Sequence, residues 1–131
     1  MRVLFICKHN RFRSKVAEAL FKEYNKNKKI KADSAGVDLD YILVAKNVIK
    51  ALNKFGVKKV NRHPKKINQR LIDKSDLIVI VANNINRNIF KKYKKKIIVW
   101  KISDTKQSDY EGILKRTKLI EKRIKKLIFM L

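Results

Sequence analysis

The chain has 131 residues, 45% of them apolar, which is the length and composition of one domain with a packed core and not of a disordered segment. Its single cysteine excludes an internal disulfide, and two distant histidines, His9 and His63, cannot complete a zinc site around it. The 35 Lys and Arg residues against 11 Asp and Glu give a formal net charge of +24, so whatever this protein binds, its field draws in anions.

The elements alternate along the chain. "RVLFI" is an apolar run of strand length. With its flanks it is too short for the apolar region of a signal peptide, so a reducing, cytoplasmic setting is expected. "SKVAEALFKEY" places Val16, Ala17, Leu20 and Tyr24 on one helical face and pairs Glu18 with Lys22. "KIKADSAG" reads as a second strand ending in a turn. After an irregular "VDLDY", the stretch "ILVAKNVIKALNKFG" repeats Val44, Val48, Leu52 and Phe55 at helical spacing, with Gly56 as its cap. "HPKKINQRLIDKS" reads as a loop followed by a short helix. "DLIVIVA" is the continuous β-branched run of a strand buried on both faces. "NINRNIFKKY" predicts another short helix and "KKIIVWKI" a fourth strand. The tail repeats Ile113, Thr117, Ile120, Ile124, Leu127 and Leu131 on one side of a long final helix. No linker or repeat divides residues 1–131. The expectation is a single α/β domain whose four-stranded parallel sheet carries helices on both faces.

In such sheets ligands bind beyond the carboxyl ends of the strands. Cys7 stands at the end of the first strand, and "CKHNRFRS" leads from it into the first helix at about Ser14. Backbone N–H groups of a strand–loop–helix turn can converge on an anion, aided by the helix dipole. Helix N-termini and neighbouring cations also favour the thiolate form of a cysteine. Arg13 adds a planar fork able to hold two oxygens of a tetrahedral oxyanion.

The segment matches a Cys-x5-Arg-Ser signature. "VLFICKHNRFRSKVAEALF" resembles the opening of the low-molecular-weight protein tyrosine phosphatases and of the arsenate reductases that share their fold. The resemblance continues through "DSAG", "INQRLIDKSDLIVIV" and "VWKISD". It implies that Cys7 is the nucleophile that takes the phosphoryl group as a cysteinyl-phosphate. Arg13 would clamp its equatorial oxygens, and Ser14 would donate a hydrogen bond to the Cys7 sulfur. Asn10 would hold the loop's shape. Lys8, His9, Asn10, Arg11, Phe12 and Ser14 would surround the phosphate. Asn10 and Ser14 also read as a turn residue and a plain helix cap.

His9 occupies a position often taken by Gly in the phosphatases, and His-Asn after the cysteine is similar to a variant on the arsenate-reductase side; His9 either tunes the thiolate or fills the turn. Arg11 and Phe12 replace residues that are usually small or apolar. Phe12 stands where many members carry a second cysteine, so protection of Cys7 by a disulfide is unavailable.

A phosphate ester also needs a proton for its leaving group. Asp76 starts the third strand and belongs to the wrong edge of the sheet, Asp73 sits beside it, and Asp33 lies in the second strand. Asp104 follows the fourth strand on the same edge as Cys7. The family places its general acid in this loop, usually as Asp-Pro, where this chain has Asp104-Thr105; Asp109 and Glu111 are the fallback, and a helix cap is the plain alternative. Family members use aromatic side chains at the pocket rim, and Tyr41 or Tyr110 could serve, or be ordinary tyrosines.

The resemblance implies a phosphotyrosine or aryl phosphate hydrolase that needs no metal and no cofactor, with inorganic phosphate binding the same loop. Arsenate reduction is the alternative, dependent on an external thiol because no second cysteine exists. A third reading is a polyanion-binding protein without catalysis. The charge permits nucleic acid as a partner, but no nucleic-acid-binding motif supports it, and a lysine-rich solubilising surface explains the same charge. No membrane partner is expected.

Overall fold

A computed structural model describes residues 1–131. The elements run β1 (Arg2–Cys7), α1 (Arg13–Tyr24), β2 (Lys31–Gly36), α2 (Lys46–Lys54), α3 (Gln69–Lys74), β3 (Leu77–Val81), a 3-10 helix (Arg87–Tyr93), β4 (Lys96–Trp100) and α4 (Tyr110–Met130). All strand pairs are parallel, in the order β2-β1-β3-β4.

Strand periodicity sorts the core. Val3 and Phe5 of β1 and Leu77, Val79 and Val81 of β3 face α1, α2 and α4 in the larger cluster. Leu4, Ile6, Ile78 and Ile80 point the other way, where Ile72 of α3 and Phe90 of the 3-10 helix cover them. Both faces are therefore dry, which is why β3 is apolar at every position. On α4, Ile113, Thr117, Ile120, Ile124 and Leu127 form the buried stripe. Leu131, expected in that stripe, lies past the helix end and is exposed. No helix is long and apolar enough to cross a membrane.

The second helix is shorter than its apolar spacing predicts. Residues 42–45 are not helical: the Val44 N–H donates to the Arg62 carbonyl at 2.9 Å, so this stretch spends its backbone on a neighbouring loop. Val44 is buried all the same, so its apolar character continues the helical spacing without the helix.

The sheet order sets the site. From β1 the chain steps to β2 on one side, then crosses to β3 on the other. This reversal opens a crevice at the carboxyl ends of β1 and β3. Cys7, the loop after it and the segments following β3 and β4 all meet there.

Candidate active site

Cys7 ends β1 with its side chain buried, and α1 begins at Arg13 with no side-chain cap on its first turn. The free amide N–H groups there are available to an anion. Between them Asn10 adopts φ 55°, a left-handed conformation that Asn tolerates better than most residues, and its side chain is fully buried. Its Nδ2 donates to Ser14 Oγ at 2.7 Å and to Ser34 Oγ at 2.9 Å, while its Oδ1 accepts the Lys65 N–H at 2.8 Å. Ser14 Oγ in turn lies 2.9 Å from Cys7 Sγ. Ser34 donates to Glu18, whose other oxygen pairs with Lys22 at 2.7 Å, the expected helical pair.

Gly36 is the residue the loop lies on. A Cβ there would come within 2.8 Å of the His9 carbonyl carbon and the Lys8 carbonyl oxygen. The segment after Gly36 then straps the loop from outside. Asp38 N–H donates to the Lys8 carbonyl at 2.8 Å, His9 Nδ1 bonds the Asp38 carbonyl, and Arg11 Nε sits 2.8 Å from Asp40 Oδ2. Since a carbonyl can only accept, His9 Nδ1 carries the proton in that bond. His9 thus fills and ties the turn at its outer side.

The Arg13 side chain is 2% exposed and held at the carboxyl edge by two neighbours. Its Nη1 donates to the Ile102 carbonyl at 2.8 Å, and both Nη atoms lie 3.3 Å from Asn84 Oδ1. Asp104 Oδ2 is 4.0 Å from Nη2, and Asp104 Oδ1 accepts the Thr105 N–H. Cys7, His9, Arg11, Phe12, Arg13 and Asp104 line one small recess.

The three acids of the Ser103–Glu111 segment are now separable. Asp109 caps α4, accepting from Gly112 N–H at 2.9 Å and Thr105 Oγ1 at 2.7 Å, and those two bonds hold its carboxyl below the usual range. Glu111 lines a different groove with Lys54 and Leu114. Only Asp104 lines the recess. Tyr41 does not line it; this residue is 83% exposed on the strapping segment, with φ 61°. Tyr110 is half-buried under Lys50 at the α2–α4 contact. Lys8 contributes its carbonyl to the strap and not its side chain to the recess.

Sequence reasoning missed Ser34, Gly36 and Asn84. The one available signal for Asn84 was the polar "NNIN" directly after an apolar strand, at the edge where ligands bind. No group of three or more His, Cys, Asp or Glu side chains is gathered that could hold a metal ion.

The profile of the family described as low molecular weight phosphotyrosine protein phosphatase matches residues 2–131. A low molecular weight protein tyrosine phosphatase from T. tengcongensis superposes with TM-score 0.88 at 25% identity, covering 100% of this chain and 99% of that one. An arsenate reductase from Archaeoglobus fulgidus gives TM-score 0.76 at 31% identity, covering 96% and 98%. The YwlE arginine phosphatase from Geobacillus stearothermophilus gives TM-score 0.85 at 19% identity, covering 98% and 91%, a likeness of fold alone. No curated protein sequence matches the chain.

Proposed function

Because the chain belongs to the low molecular weight phosphotyrosine protein phosphatase family, and is an enzyme acting on phosphorylated substrates, we propose that Cys7, Arg13 and Asp104 carry its chemistry. The observation that supports this most is their meeting in one recess at the sheet's switch point, with Asp104 Oδ2 4.0 Å from the Arg13 guanidinium.

The Cys7 thiolate attacks phosphorus in line with the leaving oxygen, forming the S–P bond as the P–O bond breaks. Asp104, protonated, gives its proton to that oxygen. The loop amides and Arg13 take up the charge on the three equatorial oxygens. A water then attacks phosphorus, Asp104 accepts its proton, and the sulfur leaves as thiolate. The Ser14 hydroxyl, 2.9 Å away, eases that departure. Asp104 is one-third exposed, so water can reach it. No step calls on a metal or a cofactor. Phosphotyrosine in a protein, or a small aryl phosphate, is the substrate. Inorganic phosphate is both product and competitive inhibitor.

The similarity to an arsenate reductase carries a second reading, thiol-dependent reduction of arsenate at the same loop. Cys7 is the only thiol in the chain, so an external thiol would have to supply the electrons.

Hydrolysis of p-nitrophenyl phosphate by the wild type, Cys7→Ser and Asp104→Ala separates these readings. Activity in the wild type, none in Cys7→Ser and a strong slowing in Asp104→Ala is the expected pattern. Arsenate consumption with added thiol, and no ester hydrolysis, would replace it with the second reading.

A further inference from the structure

Among the cations lining the recess, Arg11 is the one whose donors are largely unspent. Arg13 spends its Nη1 and one Nη2 N–H on the Ile102 carbonyl and Asn84, and its remaining donors are those assigned to the phosphoryl group. Arg11 has five N–H donors, like any arginine. Its Nε lies 2.8 Å from Asp40 Oδ2, yet the N–H is not aimed at the carboxylate, so the contact is ionic and not a formed hydrogen bond. Its terminal nitrogens bond nothing in the protein, and the side chain is 20% exposed. Arg11 lines the same recess as Arg13 but is far more open to solvent and reaches Asp40 on the strapping segment, whereas Arg13 is buried.

We propose that Arg11 is a specificity-determining residue that selects phosphotyrosine substrates with an acidic residue beside the phosphotyrosine. The inference rests on the phosphatase reading above. The phosphoryl group is matched by the loop amides and Arg13, so a group that meets Arg11 is the phosphate's neighbour on the substrate. A carboxylate there can take the open edge of the fork in a bidentate contact while Asp40 holds the other edge in place. A cationic neighbour would meet a like charge there, reduced but not cancelled by Asp40. The general positive charge of the chain also favours acidic substrates, but at long range and uniformly, so it fades with salt.

The test is kcat/KM on three phosphotyrosine peptides that differ only in the residues flanking the phosphotyrosine: Glu, Ala or Lys. It is measured at physiological ionic strength for the wild type, Arg11→Gln and Lys122→Gln, the last removing one charge from the exposed face of α4, away from the recess. The wild type should prefer the Glu peptide over the Ala peptide by roughly five- to tenfold, the range of one partly exposed charge-assisted contact. Arg11→Gln should lower that ratio to near one, and Lys122→Gln should leave it unchanged. An equal ratio in wild type and Arg11→Gln, or an equal loss in Lys122→Gln, overturns the inference alone. Failure of the wild type to hydrolyse any peptide overturns the phosphatase reading and this inference with it.

Discussion

Asn10 Oδ1 accepts the backbone N–H of Lys65 at 2.8 Å, and that bond decides which way the Asn10 amide faces. A backbone N–H can only donate, so the amide oxygen must lie on the Lys65 side and the NH₂ on the serine side. Ser14 and Ser34 are then both acceptors from Asn10. Each has one proton left, which Ser34 gives to Glu18 and Ser14 can give to Cys7. The hydrogen-bond chain is thus polarised toward the sulfur.

Asn10→Gly should keep the left-handed backbone but lose the polarised chain. The expected result is a near-native fold by circular dichroism with kcat reduced by roughly 100-fold, the scale of one lost preorganised donor. Native kcat in a folded Asn10→Gly protein would show that the chain does not act on the thiolate.

Asn84 positions Arg13 without neutralising it. Asn84→Ala should reduce kcat/KM by roughly 10- to 100-fold, because the guanidinium loses the acceptor that aligns it. Asn84→Asp retains the acceptors but adds a negative charge beside the phosphate. It should therefore bind inorganic phosphate more weakly than Asn84→Ala does. Equal inhibition constants for the two variants would remove the electrostatic part of this argument.

Gly36→Ala should abolish activity while the sheet survives. A methyl group there meets loop backbone at 2.8 Å, which has no flexible side-chain end to move aside. The Cys7–Arg13 loop must lift, and phosphate protection against thermal unfolding should vanish with it. Retained phosphate protection would contradict the close packing of Gly36 beneath the loop.

Lys15 provides a pH test. It is buried on α1, and burial lowers its pKa below 10.5, opposed by the charge of Glu18. The folded state therefore disfavours the ammonium form. Its stability cost is fully present below the folded pKa and is relieved as pH rises from there through 10.5. Lys15→Met should stabilise the protein at pH 7 by roughly 1 kcal/mol, the low end for replacing buried charge. That gain should shrink as pH passes through the window. A gain independent of pH would assign it to packing.

Periodicity and residue type carried most of the fold into view. β1, β3 and the buried stripe of α4 are apolar because each faces a dry layer, and that pattern is local. The start of α2 was not readable, because no capping residue marks it and Val44 is buried by a loop contact to Arg62 that spacing cannot reveal. The same division holds in the site. Cys7, Asn10, Arg13 and Ser14 fall in one short segment whose spacing is itself the signal. Asn84 meets Arg13 across 71 residues, and Ser34 meets Asn10 across 24. Such contacts exist only once the sheet order is set. The distance of Tyr41 along the chain after Gly36 suits a rim residue, but its side chain stands out in solvent on the strap.

The most direct measurement of the central claim is rapid-quench mass spectrometry of Asp104→Ala with p-nitrophenyl phosphate. Without the base that activates water, the intermediate should accumulate, and one phosphoryl group should appear on the peptide containing Cys7. It should be absent in the Cys7→Ala, Asp104→Ala double variant under the same conditions. Turnover by the wild type with no adduct on Cys7, or with the phosphoryl group on another residue, would contradict the cysteinyl-phosphate mechanism.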